Sequence, residues 1–218
     1  MFRLFLFDMD GVLLRNRSSW KYCQEAIGCD PERFYEEFQG DLSQGRDLTQ
    51  LVMQKMYDHG FKHGLLQDLA RKAPQFKGVG QVMDMVQARR AAAVIVSGGM
   101  GAFARELAMQ YPITRYVCNE LDFQDDTSVP TCEIRVGHHD KGRIAKDLQA
   151  ALGVTKEETV AVGDSSNDCL MFAEAGLSIA FNGDDECKRC AMHSVASDDL
   201  ADILPIIRNH ESDATGCC

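Results

Sequence analysis

The chain has 218 residues, 45% of them hydrophobic, and its 23 Lys and Arg against 33 Asp and Glu give a net charge of −10. That length suits one core, or one core with a smaller insertion, and the acidic balance argues against nucleic acid or a polybasic membrane contact as partner. No apolar run reaches the roughly 20 residues of a membrane-spanning helix, and the opening Met1-Phe-Arg-Leu-Phe-Leu-Phe7 is too short for a secretory leader, so the expectation is a cytoplasmic protein.

Short apolar runs alternate with longer amphipathic stretches. Leu4–Phe7, Ala93–Val96, Thr159–Val162 and Ser178–Phe181 read as buried strands. Runs of this kind, separated by helical patterns, predict a parallel sheet covered on both faces. Tyr116–Cys118 and Thr131–Val136 read as further strands, in a local hairpin. Helices are predicted over Val79–Arg90, Gly101–Gln110, Arg143–Leu152, Asp168–Ala175 and Asp199–Ile207, with Pro205 an objection to the last. Residues 15–75 show helical patterning without a convincing strand, and Trp20, Tyr22, Phe34, Tyr35, Phe38, Tyr57 and Phe61 make them aromatic-rich. The organisation expected is therefore an α/β core over 1–14 and 76–209, a helical cap over 15–75, and a disordered tail over 210–218.

Nine cysteines, an odd number at irregular spacing in a chain of this size, predict reduced thiols rather than a disulfide framework. Cys187-Lys-Arg-Cys190 has metal-ligand spacing but no second pair to complete a site. Cys169 is expected to serve packing. The terminal Cys217-Cys218 is read as a tail accident rather than a lipidation signal.

Three constellations follow strands, where ligands bind in open α/β sheets. Asp8-Met9-Asp10-Gly11 places two carboxylates after the first strand. Ser97-Gly98-Gly99 follows the second and precedes a helix, an arrangement suited to an anion. Gly163-Asp164-Ser165-Ser166-Asn167-Asp168 adds two acids and an amide after a third. Four acids converging would suit a hard cation such as Mg²⁺, which takes oxygen ligands. Each piece alone is also what an ordinary polar turn looks like. Lys141, in Asp140-Lys141-Gly142, gains interest only from this context, because clustered acids and a phosphoryl group both call for a cation.

Together, and in this order, Asp8-Met-Asp10-Gly-Val, Ser97-Gly-Gly, Lys141-Gly and Gly163-Asp164-Ser-Ser-Asn167-Asp168 resemble the haloacid dehalogenase-like phosphatase superfamily. Val96-Ser-Gly-Gly and Val160–Met171 carry a likeness to its phosphoserine phosphatase-like branch, extended by Ala173–Phe181. The resemblance implies a Rossmann-like core and a Mg²⁺-dependent phosphomonoester hydrolase. Asp8 would be the nucleophile that becomes an aspartyl phosphate, and Asp10 the general acid and base. Asp8, the backbone carbonyl of Asp10 and Asp164 would hold Mg²⁺. Ser97, Gly98, Lys141 and Asn167 would grip the phosphoryl group, with Asp168 orienting Lys141. The partner implied is a small phosphate ester. Where the phosphoserine-specific relatives carry an acid facing the substrate's ammonium, this chain has Leu14-Arg15-Asn16-Arg17-Ser18, and Gly11 replaces their serine. Arg15 and Arg17 would better suit a second anion. Arg46, after Gly45, matches a cap arginine that binds a substrate carboxylate. A phosphomutase of the same superfamily, or a non-catalytic protein keeping the fold, are the alternatives; a dehalogenase is disfavoured by Asp10.

Overall fold

The computed structural model describes residues 1–34, 36–38 and 47–215. Seven strands form one sheet in the order β4-β3-β2-β1-β5-β6-β7. These are β1 (Leu4–Phe7), β2 (Ala92–Met100), β3 (Arg115–Asp122), β4 (Thr131–Glu133), β5 (Thr159–Gly163), β6 (Leu177–Phe181) and β7 (His193–Val195). All pairs are parallel except β3 with β4, which is the predicted hairpin. The order reverses beside β1, whose neighbours β2 and β5 lie far from it in the chain. That reversal opens the crevice at the strands' carboxyl ends where α/β proteins bind ligands.

Alternation along the strands feeds two cores. Phe5, Phe7, Ile95, Val160 and Val162 pack on one face; Leu4, Leu6, Val94, Val96 and Ala161 pack on the other. The helices over these faces are α5 (Val79–Ala88), α6 (Gly101–Gln110), α7 (Lys141–Leu152) and α10 (Leu204–Thr215).

Between β1 and α5 lie α1 (Ser19–Ala26), α2 (Pro31–Phe34), a 3₁₀ turn over Glu36–Phe38, α3 (Leu48–Asp58) and α4 (His63–Lys72). The ends of this helical insertion run side by side. Arg15 N–H donates to the Pro74 carbonyl at 2.8 Å, and Phe76 N–H to the Leu13 carbonyl at 3.1 Å. Ser18 caps α1 by accepting from Lys21 N–H, and Asp47 caps α3 by accepting from Thr49 N–H.

Four expectations need correction. First, Cys169 and Cys190 are joined in a disulfide rather than left as thiols, because α8 (Cys169–Phe172) packs on α9 (Asp185–Cys190) and brings their Cα atoms to 5.4 Å. This assigns Cys169 a cross-link and removes Cys190 from any metal pair with Cys187. Second, the first part of the tail expected to be disordered is helical: α10 continues to Thr215, the His210 ring lies 5.6 Å from that of Phe2, and Glu211 accepts from Arg89 at 2.8 Å, while residues 216–218 lie outside the described residues. Third, Pro205 is no obstacle, since a 3₁₀ turn over Leu200–Ile203 leads into α10 and proline sits in its first turn, where no N–H is needed. Fourth, the helix expected over Asp168–Ala175 is a 3₁₀ turn (Ser166–Asp168) followed by one α-turn. Cys217 and Cys218 lie outside the described residues.

Candidate active site

The site is built on the ends of β1, β2 and β5. Asp8 N–H donates to the Val162 carbonyl at 2.9 Å, continuing the β1–β5 ladder by one residue. The chain then turns over Met9, whose carbonyl accepts from Leu13 and Leu14 N–H. Gly11 has φ +77°, and a Cβ there would overlap the Asp164 carboxylate. Glycine is thus dictated twice over at the position that follows Asp10.

Three sequence-distant stretches supply one buried cluster. The Lys141 ammonium, at the start of α7 and 1% exposed, lies 2.6 Å from Asp168 Oδ1 and 3.1 Å from Asp8 Oδ2. The other Asp168 oxygen accepts from the backbone N–H of Asp164 and of Ser165, both at 3.0 Å. Asp168 therefore holds both the lysine and the loop that carries Asp164. Asp8 Oδ1 accepts from Met9 N–H at 2.7 Å, and Ser97 bonds the Asp8 side chain. Asp8, Asp164 and Asp168 each offer an oxygen within 4.8 Å of the others'.

Asp10 is held differently. Its Oδ2 accepts from Ser19 N–H at 2.7 Å and from Ser19 Oγ at 2.9 Å, so the carboxylate sits at the positive end of α1. Ser19 Oγ also accepts from Met100 N–H at 3.0 Å, tying Asp10, α1 and the end of β2 together. A Cβ on Gly99 would lie 2.7 Å from Asp10 Oδ2, so glycine is required for that approach.

Charge is unbalanced here. Among the described residues, four buried carboxylates face one buried ammonium. Burial raises Asp8 above its ordinary pKa, and pushes Asp10 up to about 7 even though Ser19 N–H opposes the shift. Burial, reinforced by Asp8 and Asp168, pushes Asp164 up to about 8. Burial disfavours a charged Lys141, but Asp168 and Asp8 outweigh it and the pKa rises. An oxygen-only donor set short of positive charge fits a hard divalent cation.

A cavity of about 430 Å³ opens over this cluster. Of the residues singled out from the sequence, Asp8, Asp10, Ser97, Gly98, Lys141, Asp164, Asn167 and Arg17 line it. Asp168 lies directly behind Lys141. Asn167 Oδ1 accepts from Ser165 Oγ at 2.9 Å. Arg17 donates to the Asn182 carbonyl at 2.6 Å, and its Nε is 3.8 Å from Asp164. Arg15 is not brought to the cavity: it pairs with Asp198 at 2.8 Å and lies over the Phe76 ring. Gly45 and Arg46 lie outside the described residues.

Three residues that sequence reasoning missed support the site. Ser19 follows a helix cap, which was a legible signal. Asn119 is buried in β3. Its amide donates to the Gly98 carbonyl at 2.8 Å, and its oxygen accepts from Arg135 and Val136 N–H at 2.9 Å each. Trp20 Nε1 donates to the same Gly98 carbonyl at 3.0 Å. β2 runs on to Met100, so Ser97-Gly98-Gly99 lie within its last residues rather than after it, and this irregular stretch is pinned from the sheet and from the insertion.

This arrangement can be set beside known proteins. The family model for haloacid dehalogenase-like hydrolases matches residues 5–173. The phosphoserine phosphatase of Idiomarina loihiensis is 28% identical over 95% of this chain and 94% of its own length. That of Methanocaldococcus jannaschii is 27% identical, over 94% and 98%. The Archaeoglobus fulgidus phosphoserine phosphatase is 25% identical over 94% of this chain, which spans only 60% of that protein. Among solved structures, a substrate-bound phosphoserine phosphatase complex matches 94% of this chain and 98% of that one with a TM-score of 0.77 at 22% identity. A probable phosphoserine phosphatase from Vibrio cholerae, unliganded, gives a TM-score of 0.77 at 20% identity, covering 99% of this chain and 67% of that one. The sheet order, the acids at its carboxyl edge and the family match over most of the chain agree, and the protein belongs to the haloacid dehalogenase-like hydrolases.

Proposed function

We propose that the chain is a Mg²⁺-dependent phosphomonoesterase that cleaves a small phosphorylated metabolite by way of an aspartyl phosphate on Asp8. The observation that carries this reading is the Lys141 ammonium seated between Asp8 and Asp168, with Asp10 two residues away and fixed separately by Ser19. In the first step an Asp8 carboxylate oxygen attacks phosphorus and the ester P–O bond breaks. The departing alkoxide takes a proton from Asp10, which burial keeps readily protonated near neutrality. In the second step Asp10, now a carboxylate, accepts a proton from water as that water attacks phosphorus. Orthophosphate leaves and Asp8 is regenerated.

Lys141, Ser97 and the backbone at Gly98 neutralise and orient the phosphoryl oxygens, and positioning and charge account for most of the rate. Asp8, Asp164 and the Asp10 carbonyl would hold Mg²⁺, which when bound offsets the excess negative charge and polarises the phosphoryl group. Residues 15–75 act as a cap that limits water at the site. The compartment proposed is the cytoplasm, where the Cys169–Cys190 pair closes only on oxidation. Support comes from the relatives named phosphoserine phosphatase and from the charge imbalance of the cluster. The test is phosphate release from a panel of phosphate esters with Mg²⁺. Release should be lost in Asp8→Asn and in excess chelator; full turnover in either would overturn the reading.

A further inference from the structure

The cavity lining is of mixed character. Beside Asp8, Ser97 and Lys141 it includes the apolar side chains of Trp20, Leu48, Val52, Ile134 and Val136. Leu48 and Ile134 are 39% and 52% exposed, although burial is the usual fate of such side chains. Their exposed faces border a cavity large enough for a small organic group beyond the phosphoryl site.

Charge along the lining is one-sided. Among the described residues lining the cavity, the carboxylates are Asp8, Asp10 and Asp164. Asp8 is paired with Lys141, Asp10 is bonded twice by Ser19, and Asp164 faces the Arg17 guanidinium. Thr49 and His138, which also line it, bring no fixed negative charge. An ammonium group on a substrate would therefore meet a guanidinium and, among the described lining residues, no carboxylate without a partner, which selects against cationic leaving groups. An apolar leaving group would instead cover Leu48 and Ile134 and lose its own unfavourable hydration.

Resting on the phosphatase reading above, we propose that the substrate is a phosphate monoester of an apolar alcohol, aromatic or branched aliphatic and without an ammonium group. The test compares benzyl phosphate with O-phospho-L-serine, both primary alkyl esters, so that the chemistry at phosphorus is matched. The wild type should show a kcat/KM for benzyl phosphate at least about ten-fold higher, the discrimination a few apolar contacts supply. Ile134→Ser and Leu48→Ser, both at exposed positions, should raise the ratio of the benzyl phosphate KM to the inorganic phosphate Ki by several-fold. Arg17→Glu should raise kcat/KM for phosphoserine. Preference for phosphoserine in the wild type, or a ratio that neither serine variant moves, overturns this inference while leaving the phosphatase reading intact. Hydrolysis of neither ester likewise overturns this inference, and phosphate release from the wider ester panel then decides the phosphatase reading.

Discussion

Replacing Lys141 by methionine removes the buried cation that the described residues place in the site, while keeping the length of the side chain. The ammonium is 2.6 Å from Asp168 and 3.1 Å from Asp8, and all three groups are buried. Its loss strands two carboxylates, and removal of one partner from a buried ion pair destabilises by about 3–5 kcal/mol. Against a typical total of about 5–15 kcal/mol that is a large fraction. For a chain of this length it corresponds to a fall in Tm of roughly 6–20 °C. Loss of a phosphoryl-stabilising cation should lower kcat by about 10²–10³. Asp168→Asn, made alone and combined with Lys141→Met, completes a cycle for denaturant unfolding of the metal-free protein. The double variant should be more stable than the sum of the single effects by at least about 1 kcal/mol, because neutralising Asp168 removes part of the stranded charge. Additivity within about 0.5 kcal/mol, the behaviour of independent sites, would refute the reasoning.

Three other perturbations follow from the same geometry. In chelator, the native site retains protons that an unfolded chain has already released above pH about 4. The Tm should therefore fall as pH rises towards 8, the range in which Asp10 and Asp164 ionise, and Asp164→Asn should flatten this slope relative to wild type; equal slopes would contradict the charge imbalance. Cys190→Ser opens a loop of sequence separation 21 and should cost about 3 kcal/mol in oxidising buffer but nothing in excess thiol, measured by urea unfolding. Trp20→Phe keeps a ring but loses the donor to the Gly98 carbonyl, and should lower kcat/KM about five-fold for all esters alike, the worth of one hydrogen bond; an effect confined to one ester would assign Trp20 to the leaving group instead.

Much of this site was legible because its chemistry is concentrated at strand ends. Leu4–Phe7 and Thr159–Val162 are apolar runs that stop where a carboxylate must face water and ligand, and the turn glycines mark where backbone and acid pass closely. Asn119 was hidden because a single polar residue inside a strand pattern carries no mark of the backbone groups it will hold. The Cys169–Cys190 bridge depends on α8 meeting α9, a contact that spacing along the chain does not encode. β7, at three residues, is too short to show a period. The helix α9 is absent from the predicted helices although its signals are present: Asp184 as its cap, acids in its first turn and Lys188-Arg189 in its last, a pattern that complements the helix dipole. Pro205 was weighed as a breaker when its position made it a starter.

The central claim is that the phosphoryl group passes through Asp8. Acid quenching during turnover, borohydride reduction of the acyl phosphate and peptide mass spectrometry test it most directly. The account predicts homoserine at residue 8 in the presence of substrate and Mg²⁺, and aspartate there without substrate. Reduction at another carboxylate, or an unmodified residue 8 in an enzyme that is actively releasing phosphate, would contradict it.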